Sequence, residues 1–351
     1  MPQQQIAILR ALQLGDLLCA VPALRALRRA RPDATITLIG LPWAGDFVRR
    51  MPYVDDFMAF PGYPGLPEQP LDFARLEAFL ANARARHFDL AIQLHGNGTL
   101  TNPLIAMLGA ERCAGFFPPG HPCPDPATFL PWPEDLPEIR RLLALTRHLG
   151  MPDCGETLEL PILPEEQQAF SELLAGLPIG KQGYVCIHPG ARLATRRWLP
   201  ERFALVADQL AAAGRRIILT GSLDEAPLTA AIREQMRAPA IDLAGQTTLG
   251  TLAALVAAAE LVVCNDTGLS HVAAAVGTPS VVICSGADAL RWQPLDGERH
   301  RVLWFPVPCR PCAYKECPTA HECAAGIGVE AVVDESLSLL SSPRENHHAA
   351  A

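Results

Sequence analysis

The sequence predicts an α/β protein with two units, each built on a doubly wound parallel sheet. Its 351 residues suffice for two domains of roughly 150 residues each. Short, β-branched apolar runs alternate with stretches at helical spacing, which is typical of parallel sheets covered by helices. This alternation breaks and starts again near residues 160–180. We therefore expect one domain over residues 1–165 and a second over residues 180–328.

The first half opens with a strand, a turn and a helix. Residues 6–12 are apolar, Gly15 follows in a turn, and residues 17–30 carry apolar side chains at helical spacing. The β-branched run 35–40 predicts the next strand. Residues 117–137 are dense in proline and predict a long, irregular surface loop. The other elements expected here are a helix at 71–86, a strand at 88–96 and a helix at 138–149.

The second half repeats the alternation with shorter connections, which favours a doubly wound sheet. Residues 200–214 predict a helix, with proline at its start and glycine at its end. After residue 286 the pattern becomes irregular, and a last helix is expected at 329–341. Packing of that helix back on the first domain is one option. A flexible tail is expected at 342–351. The strands expected are 183–190, 215–222, 240–245, 261–266 and 280–286, and the other helices are 225–236, 249–260 and 269–277.

Composition and charge narrow the class of protein. Hydrophobic residues make up 49% and charged residues 19% of the chain, as in globular proteins. The net charge of −8 gives no bulk electrostatic case for nucleic acid as a partner. The N-terminus lacks the pattern of a secretory signal, and no apolar run reaches the roughly 18 residues of a membrane span. We therefore expect a cytoplasmic protein whose cysteines are mostly reduced.

Ligands of open α/β sheets bind outside the carboxyl ends of the strands, so the residues there are the candidates for function. Asp16 either caps the first helix or presents a carboxylate that takes a proton from a hydroxyl. Gly190 allows backbone N–H groups to approach a ligand, and Arg196 supplies donors suited to phosphate. Trp198 would stack on a ligand or anchor this loop.

Two further strand ends carry polar residues. Glu225 begins a helix. It would either cap that helix or accept hydrogen bonds from ribose hydroxyls. Asp266, Thr267 and Gly268 form a turn before another helix, with His271 in its first turn. The free N–H groups and the dipole of that helix favour an anion, while capping by Asp266 or Thr267 is the simpler interpretation.

Several motifs are absent from the sequence. No G-x-G-x-x-G follows a strand and no Walker motif occurs, which argues against a dinucleotide oxidoreductase or a P-loop NTPase. No D-x-D pair occurs either, so a catalytic Mg²⁺ or Mn²⁺ on a diphosphate is not indicated. Cationic side chains and helix termini would have to neutralise a leaving diphosphate.

Four cysteines lie close together in the sequence, with the spacing C-x₂-C-x₄-C-x₅-C. Such a set suits a closed, structural Cys₄ site for zinc or iron. Free thiols or disulfides are the alternatives. These cysteines are Cys309, Cys312, Cys317 and Cys323.

The chain resembles glycosyltransferase family 9, the ADP-heptose:lipopolysaccharide heptosyltransferases, over roughly residues 1–335. The block D-T-G-x-x-H-x-A-A-A-x-G-x-P together with the early G-D-x-L carries most of the specificity. The matching segments are 15-GDLLCAVPALRALR-28, 188-HPGA-191 with 196-RRWLPERF-203, 220-TGSLDE-225, the stretch 242–281 and 309-CRPCAYKECPTAHEC-323.

The resemblance implies a GT-B fold, with two Rossmann-like domains facing a cleft and an inverting transfer that requires no cofactor or metal. The first domain would bind the acceptor, with Asp16 as general base, and the second the nucleotide sugar. Glu225 would match the acidic residue that binds the nucleoside, and the turn with His271 the loop around the diphosphate and sugar. Arg196 stands where many relatives carry a phosphate-binding lysine. The family often carries a similar cysteine cluster.

The implied partners are ADP-heptose and a lipid-linked glycan of the lipopolysaccharide core, met peripherally at the inner membrane. One alternative is a GT-B transferase with another nucleotide sugar or a protein acceptor. A second, from another class, is a non-catalytic module that binds a nucleotide sugar or a metal. The sequence does not predict the oligomeric state.

Overall fold

The computed structural model describes residues 3–177 and 183–342. These residues fall into two compact units, and the chain passes from one to the other after Leu158. The predicted start of the second domain at residue 180 and the predicted tail beyond Ser342 lie outside the described residues.

Within the described part of the first unit, the strands form one six-stranded parallel sheet in the order β3-β2-β1-β4-β5-β6. The strands are β1 (Gln5–Leu9), β2 (Thr35–Gly40), β3 (Asp56–Ala59), β4 (Leu90–Gln93), β5 (Arg112–Phe117) and β6 (Phe129–Pro131). The helices are α1 (Leu14–Ala30), α2 (Ala44–Arg50), α3 (Phe73–Ala85), α4 (Thr101–Met107) and α5 (Glu138–His148).

The second unit, over its described residues, has a parallel sheet of six strands in the order β12-β11-β10-β7-β8-β9. The strands are β7 (Tyr184–His188), β8 (Arg216–Leu219), β9 (Ala240–Asp242), β10 (Leu261–Asn265), β11 (Ser280–Cys284) and β12 (His300–Trp304). The helices are α6 (Pro164–Ala175), α7 (Pro200–Ala212), α8 (Ala226–Gln235), α9 (Leu249–Ala258), α10 (Gly268–Ala275), α11 (Ala289–Trp292), α12 (Glu322–Ala325) and α13 (Val329–Ser341).

The two sheets share one topology, which confirms the predicted doubly wound, Rossmann-like class. Each sheet grows in one direction through its first three strands, returns to the centre and then grows in the other direction. The strand order therefore reverses between β1 and β4 in the first unit and between β7 and β10 in the second. At such a switch point the helices leave on opposite faces, and a crevice opens at the carboxyl ends of the two strands.

The strands are buried on both faces, as expected for parallel sheets under helices. Every residue of β10 and of β11 is buried. The last helix, α13, packs on α7 and on β10 and β11, and its buried side chains belong to the core of the second unit. Its apolar face is thus covered within its own unit.

Two strands lie in segments that the sequence predicted to be irregular. Residues 117–137 contain β6, which pairs with β5 at the edge of the sheet. Pro131 ends this edge strand, where a missing N–H costs no ladder hydrogen bond. Beyond residue 286, β12 pairs with β11, and two short helices also form.

Among the described residues, no helix combines the length and the apolar character that crossing a membrane requires.

We predict that Gly98→Ala destabilises the first unit more than Gly96→Ala does. Both glycines have positive φ, at 92° and 71°, so alanine at either position costs about 1–2 kcal/mol. A Cβ at Gly98 would also lie 2.2 Å from the carbonyl oxygen of Phe116, whereas one at Gly96 meets nothing within 4 Å. Urea unfolding should show about 3 kcal/mol or more for Gly98→Ala, and equal losses would contradict this packing.

A second prediction concerns His300 on β12, which hydrogen-bonds Ser280 through Nδ1 at 2.9 Å. Burial, opposed by Asp296 and aided by Arg299 and His271, lowers the pKa of His300 to about 4. The unfolded chain then binds more protons between about pH 4 and 6.5, so stability falls as the pH drops through that window. His300→Gln should remove on the order of 3 kcal/mol of this loss.

The measurement is urea unfolding at a series of pH values, with the exposed His148→Gln as the control. An unchanged slope in His300→Gln would contradict the prediction.

Candidate active site

The carboxyl ends of β7, β10 and β11 lie side by side in the second unit, at and beside its switch point. The residues predicted to bind a donor follow these strand ends or that of the neighbouring β8, which pairs with β7. The structure thus brings Gly190, Arg196, Glu225 and the 266–268 turn to one edge of one sheet.

Asn265, the last residue of β10, holds the loop after β7 in place. Its side chain is fully buried, and Oδ1 accepts a hydrogen bond from the N–H of Trp198 at 2.9 Å. Its Nδ2 donates to the carbonyl oxygen of Pro189 at 2.7 Å. One amide thereby fixes both ends of the segment that carries Arg196. Asn265 was not predicted from the sequence. The feature that could have indicated it is an amide side chain at the end of an apolar run.

Trp198 anchors this loop and does not stack on a ligand, which corrects its prediction as a donor-binding residue. The side chain is only 1% exposed and lies in the core. Its Nε1 donates to the carbonyl oxygens of Ala324 and Ile327, at 3.1 and 3.2 Å, and its ring meets Phe203 edge to face. Because the ring and its N–H are both in use inside the unit, Trp198 contributes to the site through the backbone it holds.

Arg196 is the cation that this anchored loop presents. It ends a short 3-10 helix over Ala194–Arg196, and among the described residues its buried Nε has no hydrogen-bond partner. Ser285, just after β11, has a buried Oγ that is likewise unpartnered within the described part of the chain. Buried polar atoms are normally hydrogen-bonded, so donors without a partner at the carboxyl ends of strands indicate a ligand that accepts their hydrogen bonds.

The turn after β10 caps α10 through Thr267, not through Asp266. Thr267 Oγ1 accepts from the N–H of Leu269 at 3.4 Å, a long bond that caps the helix weakly. Ser270 turns its hydroxyl back to the Thr267 carbonyl at 2.8 Å. Gly268 is the first residue of α10, so no side chain shields the backbone N–H groups of the first turn from an anion.

Asp266 lies between the ends of β10 and β11. Its N–H donates to the carbonyl oxygen of Ile283 at 3.0 Å, and Oδ2 is 3.9 Å from the Cys284 sulfur. Burial, aided by Asp266 and opposed by Arg310 and Arg196, raises the pKa of Cys284 to about 12. The Cys284 thiol is therefore neutral. Because Arg196 and Asp266 both act on its pKa, these two side chains lie near the same strand end.

His271 lies behind the first turn of α10. Its side chain is 4% exposed, and its charge acts on the pKa of His300 on β12. The imidazole is therefore buried between the sheet and α10. It lies next to the predicted site but is not on the surface of that site.

Glu225 and Gly190 touch across the ends of β8 and β7. Glu225 Oε2 accepts from the N–H of Ser222 at 2.8 Å, so the carboxylate helps to cap the short 3-10 turn over Leu223–Glu225 that precedes α8. A Cβ on Gly190 would lie 2.2 Å from Oε1 of the same carboxylate. Gly190 is therefore needed for the close approach of Glu225, a more specific role than the general backbone approach predicted for it.

His188, the last residue of β7, was not singled out in the sequence. Its Nδ1 lies 3.1 Å from Thr220 Oγ1. Burial lowers the pKa of His188, and the nearby Glu225 carboxylate opposes that shift. The imidazole at the end of β7 therefore lies within electrostatic reach of the Glu225 carboxylate.

The structure does not confirm the metal centre expected at the four clustered cysteines. Across residues 3–177 and 183–342, no group of three or more His, Cys, Asp or Glu side chains is arranged to hold a metal ion. Cys312 is held against Gly286, to whose carbonyl oxygen its N–H donates at 2.7 Å, and burial raises the pKa of Cys323. All four cysteines are free thiols in the structure.

The segment that carries these cysteines covers the Arg196 loop. Thr195 Oγ1 donates to the carbonyl oxygen of Tyr314 at 2.8 Å, and the Thr195 carbonyl lies 2.9 Å from His321 Nε2. Arg310 donates to the carbonyl oxygens of Cys284 and Ser285. The segment therefore holds the backbone of Thr195, next to Arg196, and the backbone of Cys284 and Ser285 at the end of β11.

In the first unit, Asp16 lies in the first turn of α1, directly after the switch strand β1. Its Oδ2 accepts from the N–H of Gln13 at 3.2 Å, and its carbonyl oxygen accepts from Arg10 Nε at 2.7 Å. The side chain is partly exposed. Asp16 thus caps α1, which was the simpler of its two interpretations. It also lies at the switch point, where proteins of this fold bind their ligands.

The comparisons with known proteins point to one family. A family model described as glycosyltransferase family 9 (heptosyltransferase) matches residues 79–322. The chain is 25% identical over 322 residues to lipopolysaccharide heptosyltransferase 3 of Escherichia coli strain K12, and the match covers 88% of each chain.

Solved structures agree on the fold. A glycosyl transferase family 9 structure from Veillonella parvula DSM 2008 has a TM-score of 0.80 at 21% identity, covering 96% of this chain and 97% of that one. The ADP-heptose lipopolysaccharide heptosyltransferase II of E. coli has a TM-score of 0.73 at 20% identity, covering 96% and 98%. Since the family match spans well over half of the sequence, the chain belongs to glycosyltransferase family 9, the heptosyltransferases, and is a glycosyltransferase with the GT-B fold.

Proposed function

We propose that this protein is an inverting, metal-independent heptosyltransferase, which moves a heptose from ADP-heptose to a hydroxyl of the lipopolysaccharide core. The observation that carries the proposal is Arg196, whose buried Nε is unpartnered among the described residues at the switch point of the second unit. The names of its relatives, a lipopolysaccharide heptosyltransferase and an ADP-heptose heptosyltransferase, support the donor and the acceptor.

The second unit binds the donor in this proposal. Arg196 and the first turn of α10, at Thr267 and Gly268, bind the diphosphate, because a guanidinium and free helix N–H groups both match phosphate oxygens. Glu225 accepts hydrogen bonds from the nucleoside hydroxyls. Asp266 lies at the sugar end of this site, with His271 behind it as support.

The first unit binds the acceptor, with Asp16 as the general base. A carboxylate in a first helical turn interacts favourably with the helix dipole, and Asp16 Oδ2 also accepts the capping hydrogen bond from Gln13. Asp16 removes the proton of the acceptor hydroxyl as that oxygen attacks the anomeric carbon from the face opposite the diphosphate. The new C–O bond forms as the bond to the diphosphate breaks, so the configuration inverts and ADP leaves with the electron pair.

The leaving diphosphate needs positive charge, which the chain's own groups supply here. Arg196 and the N-terminus of α10 are preorganised, since Asn265 and the cysteine segment fix the backbone around them. Donors fixed before the reaction stabilise developing charge most effectively. The acceptor is lipid-linked, so the cytoplasmic protein meets the inner membrane peripherally.

Asp16→Asn should lower kcat for transfer by about 10²–10⁴-fold, because the amide cannot take a proton. Donor affinity should stay within about twofold, since the base acts on the acceptor. Asp33→Asn, an exposed carboxylate just after α1, is the matched control and should transfer normally. Full activity in Asp16→Asn would contradict its assignment as the base.

Arg196→Ala should weaken binding of ADP-heptose and of ADP together, by about 10–100-fold, because a charge-assisted hydrogen bond to phosphate is lost. Arg196→Lys should restore part of the affinity, since the charge is kept and the forked geometry is not. Titration calorimetry measures both, with the exposed Arg233→Ala as control. Unchanged affinity in Arg196→Ala would reject the phosphate site.

A further inference from the structure

Arg10 is a fully buried cation that the proposed chemistry does not use. It follows β1 directly, and its exposed fraction is 0%. Burying a guanidinium carries a large desolvation cost unless it is paired and fully hydrogen-bonded. An apolar side chain would fill the same space without that cost, so the contacts of Arg10 need an explanation beyond packing.

The guanidinium of Arg10 joins three separate parts of the first unit. Nε donates to the carbonyl oxygen of Asp16 at 2.7 Å, and one terminal nitrogen donates to the carbonyl oxygen of Leu94. The other terminal nitrogen donates to Glu138 Oε1 at 3.1 Å. Leu94 follows β4 and Glu138 begins α5. One side chain thus ties together the loops after both switch strands.

Glu138 is itself fixed from the other side. Its Oε2 accepts from Arg141 at 2.6 Å, and both side chains are 2% exposed. Arg141 in turn donates to the carbonyl oxygen of Pro133 at 2.7 Å, and its guanidinium lies 4.3 Å from the ring centroid of Trp132. The carboxylate that orients Arg10 therefore has little freedom to move.

We propose that Arg10 is a positioning residue for the glycosyl transfer. It holds the first turn of α1 through the Asp16 carbonyl oxygen, and thereby sets where the Asp16 carboxylate meets the acceptor hydroxyl. Glu138 and Arg141 keep the guanidinium in the one orientation that reaches all three acceptors. The planar fork is required, because the three donors of a lysine converge on one nitrogen and cannot span acceptors that are reached from three separate nitrogens of the guanidinium. This inference rests on the proposed function, in which Asp16 is the base.

The test is the steady-state kinetics of the full-length protein with ADP-heptose and a lipopolysaccharide-core acceptor. Arg10→Lys should lower kcat by about 10–100-fold, since a displacement of about 1 Å at a reacting group can cost about 10²-fold. KM for the donor should stay within about twofold, and Arg10→Met should transfer more slowly than Arg10→Lys. A role in stability alone would change the unfolding temperature and leave kcat unchanged.

The matched control is Arg28→Lys, at the other end of α1. Arg28 also donates to a backbone carbonyl, that of Ala34 at 2.8 Å, and pairs with Asp55, away from Asp16. Its kcat should stay within about twofold. If Arg10→Met does not fold, Glu138→Gln takes its place, because losing that carboxylate removes what orients Arg10. Its expected loss of kcat is also about 10-fold or more.

A double variant separates this inference from the proposed function. If Arg10 acts through Asp16, adding Arg10→Lys to Asp16→Asn causes little further loss of kcat, because both changes remove one function. Losses that multiply, or a kcat for Arg10→Lys within about twofold of the unmodified protein, would overturn the positioning role. Full activity of Asp16→Asn alone would instead overturn the base assignment of the proposed function.

Discussion

The reversal of strand order, between β1 and β4 and again between β7 and β10, is the constraint on which the candidate residues of each unit depend. In each sheet the two strands at the reversal send their following helices to opposite faces, so their carboxyl ends are left open. Asp16 follows β1, and the Arg196 loop and the 266–268 turn follow β7 and β10. The topology therefore decides which of the polar residues in the chain can meet a ligand.

The loops at these strand ends need to be rigid, and in each unit a buried polar side chain at the reversal helps to hold them. Asn265 does this in the second unit, with hydrogen bonds to the backbone of Pro189 and Trp198. Arg10 does it in the first, with hydrogen bonds to the backbone of Asp16 and Leu94. Both side chains are fully buried, so their hydrogen bonds are costly to break. Preorganisation of this kind is what transition-state stabilisation by fixed donors requires.

The alternation of strands and helices was enough to predict the fold class, because the period of apolar residues is a local property. It was not enough for β6 and β12, which are short edge strands in proline-rich surroundings and form by pairing with β5 and β11. The candidate ligand residues followed from their position after predicted strands. Trp198 was assigned wrongly, since burial of an aromatic ring depends on the distant Ala324 and Ile327.

Arg10 and Asn265 escaped the sequence analysis for the same reason: their partners are distant in sequence, and only folding brings them together. The spacing of the cysteine cluster predicted a metal site, which the structure leaves unconfirmed. The segment that carries these cysteines covers Thr195 beside Arg196. Short-range patterns thus predicted elements and strand ends, whereas the contacts that give the site its rigidity are all long-range.

The most direct measurement of the central claim is the mass of a lipopolysaccharide-core acceptor after incubation with the protein and each of a panel of nucleotide sugars. The account predicts that ADP-heptose, and no other donor to a comparable extent, adds one heptose to the acceptor and releases ADP in equal amount. Transfer from a different nucleotide sugar with none from ADP-heptose, or no mass gain with any donor, would contradict it.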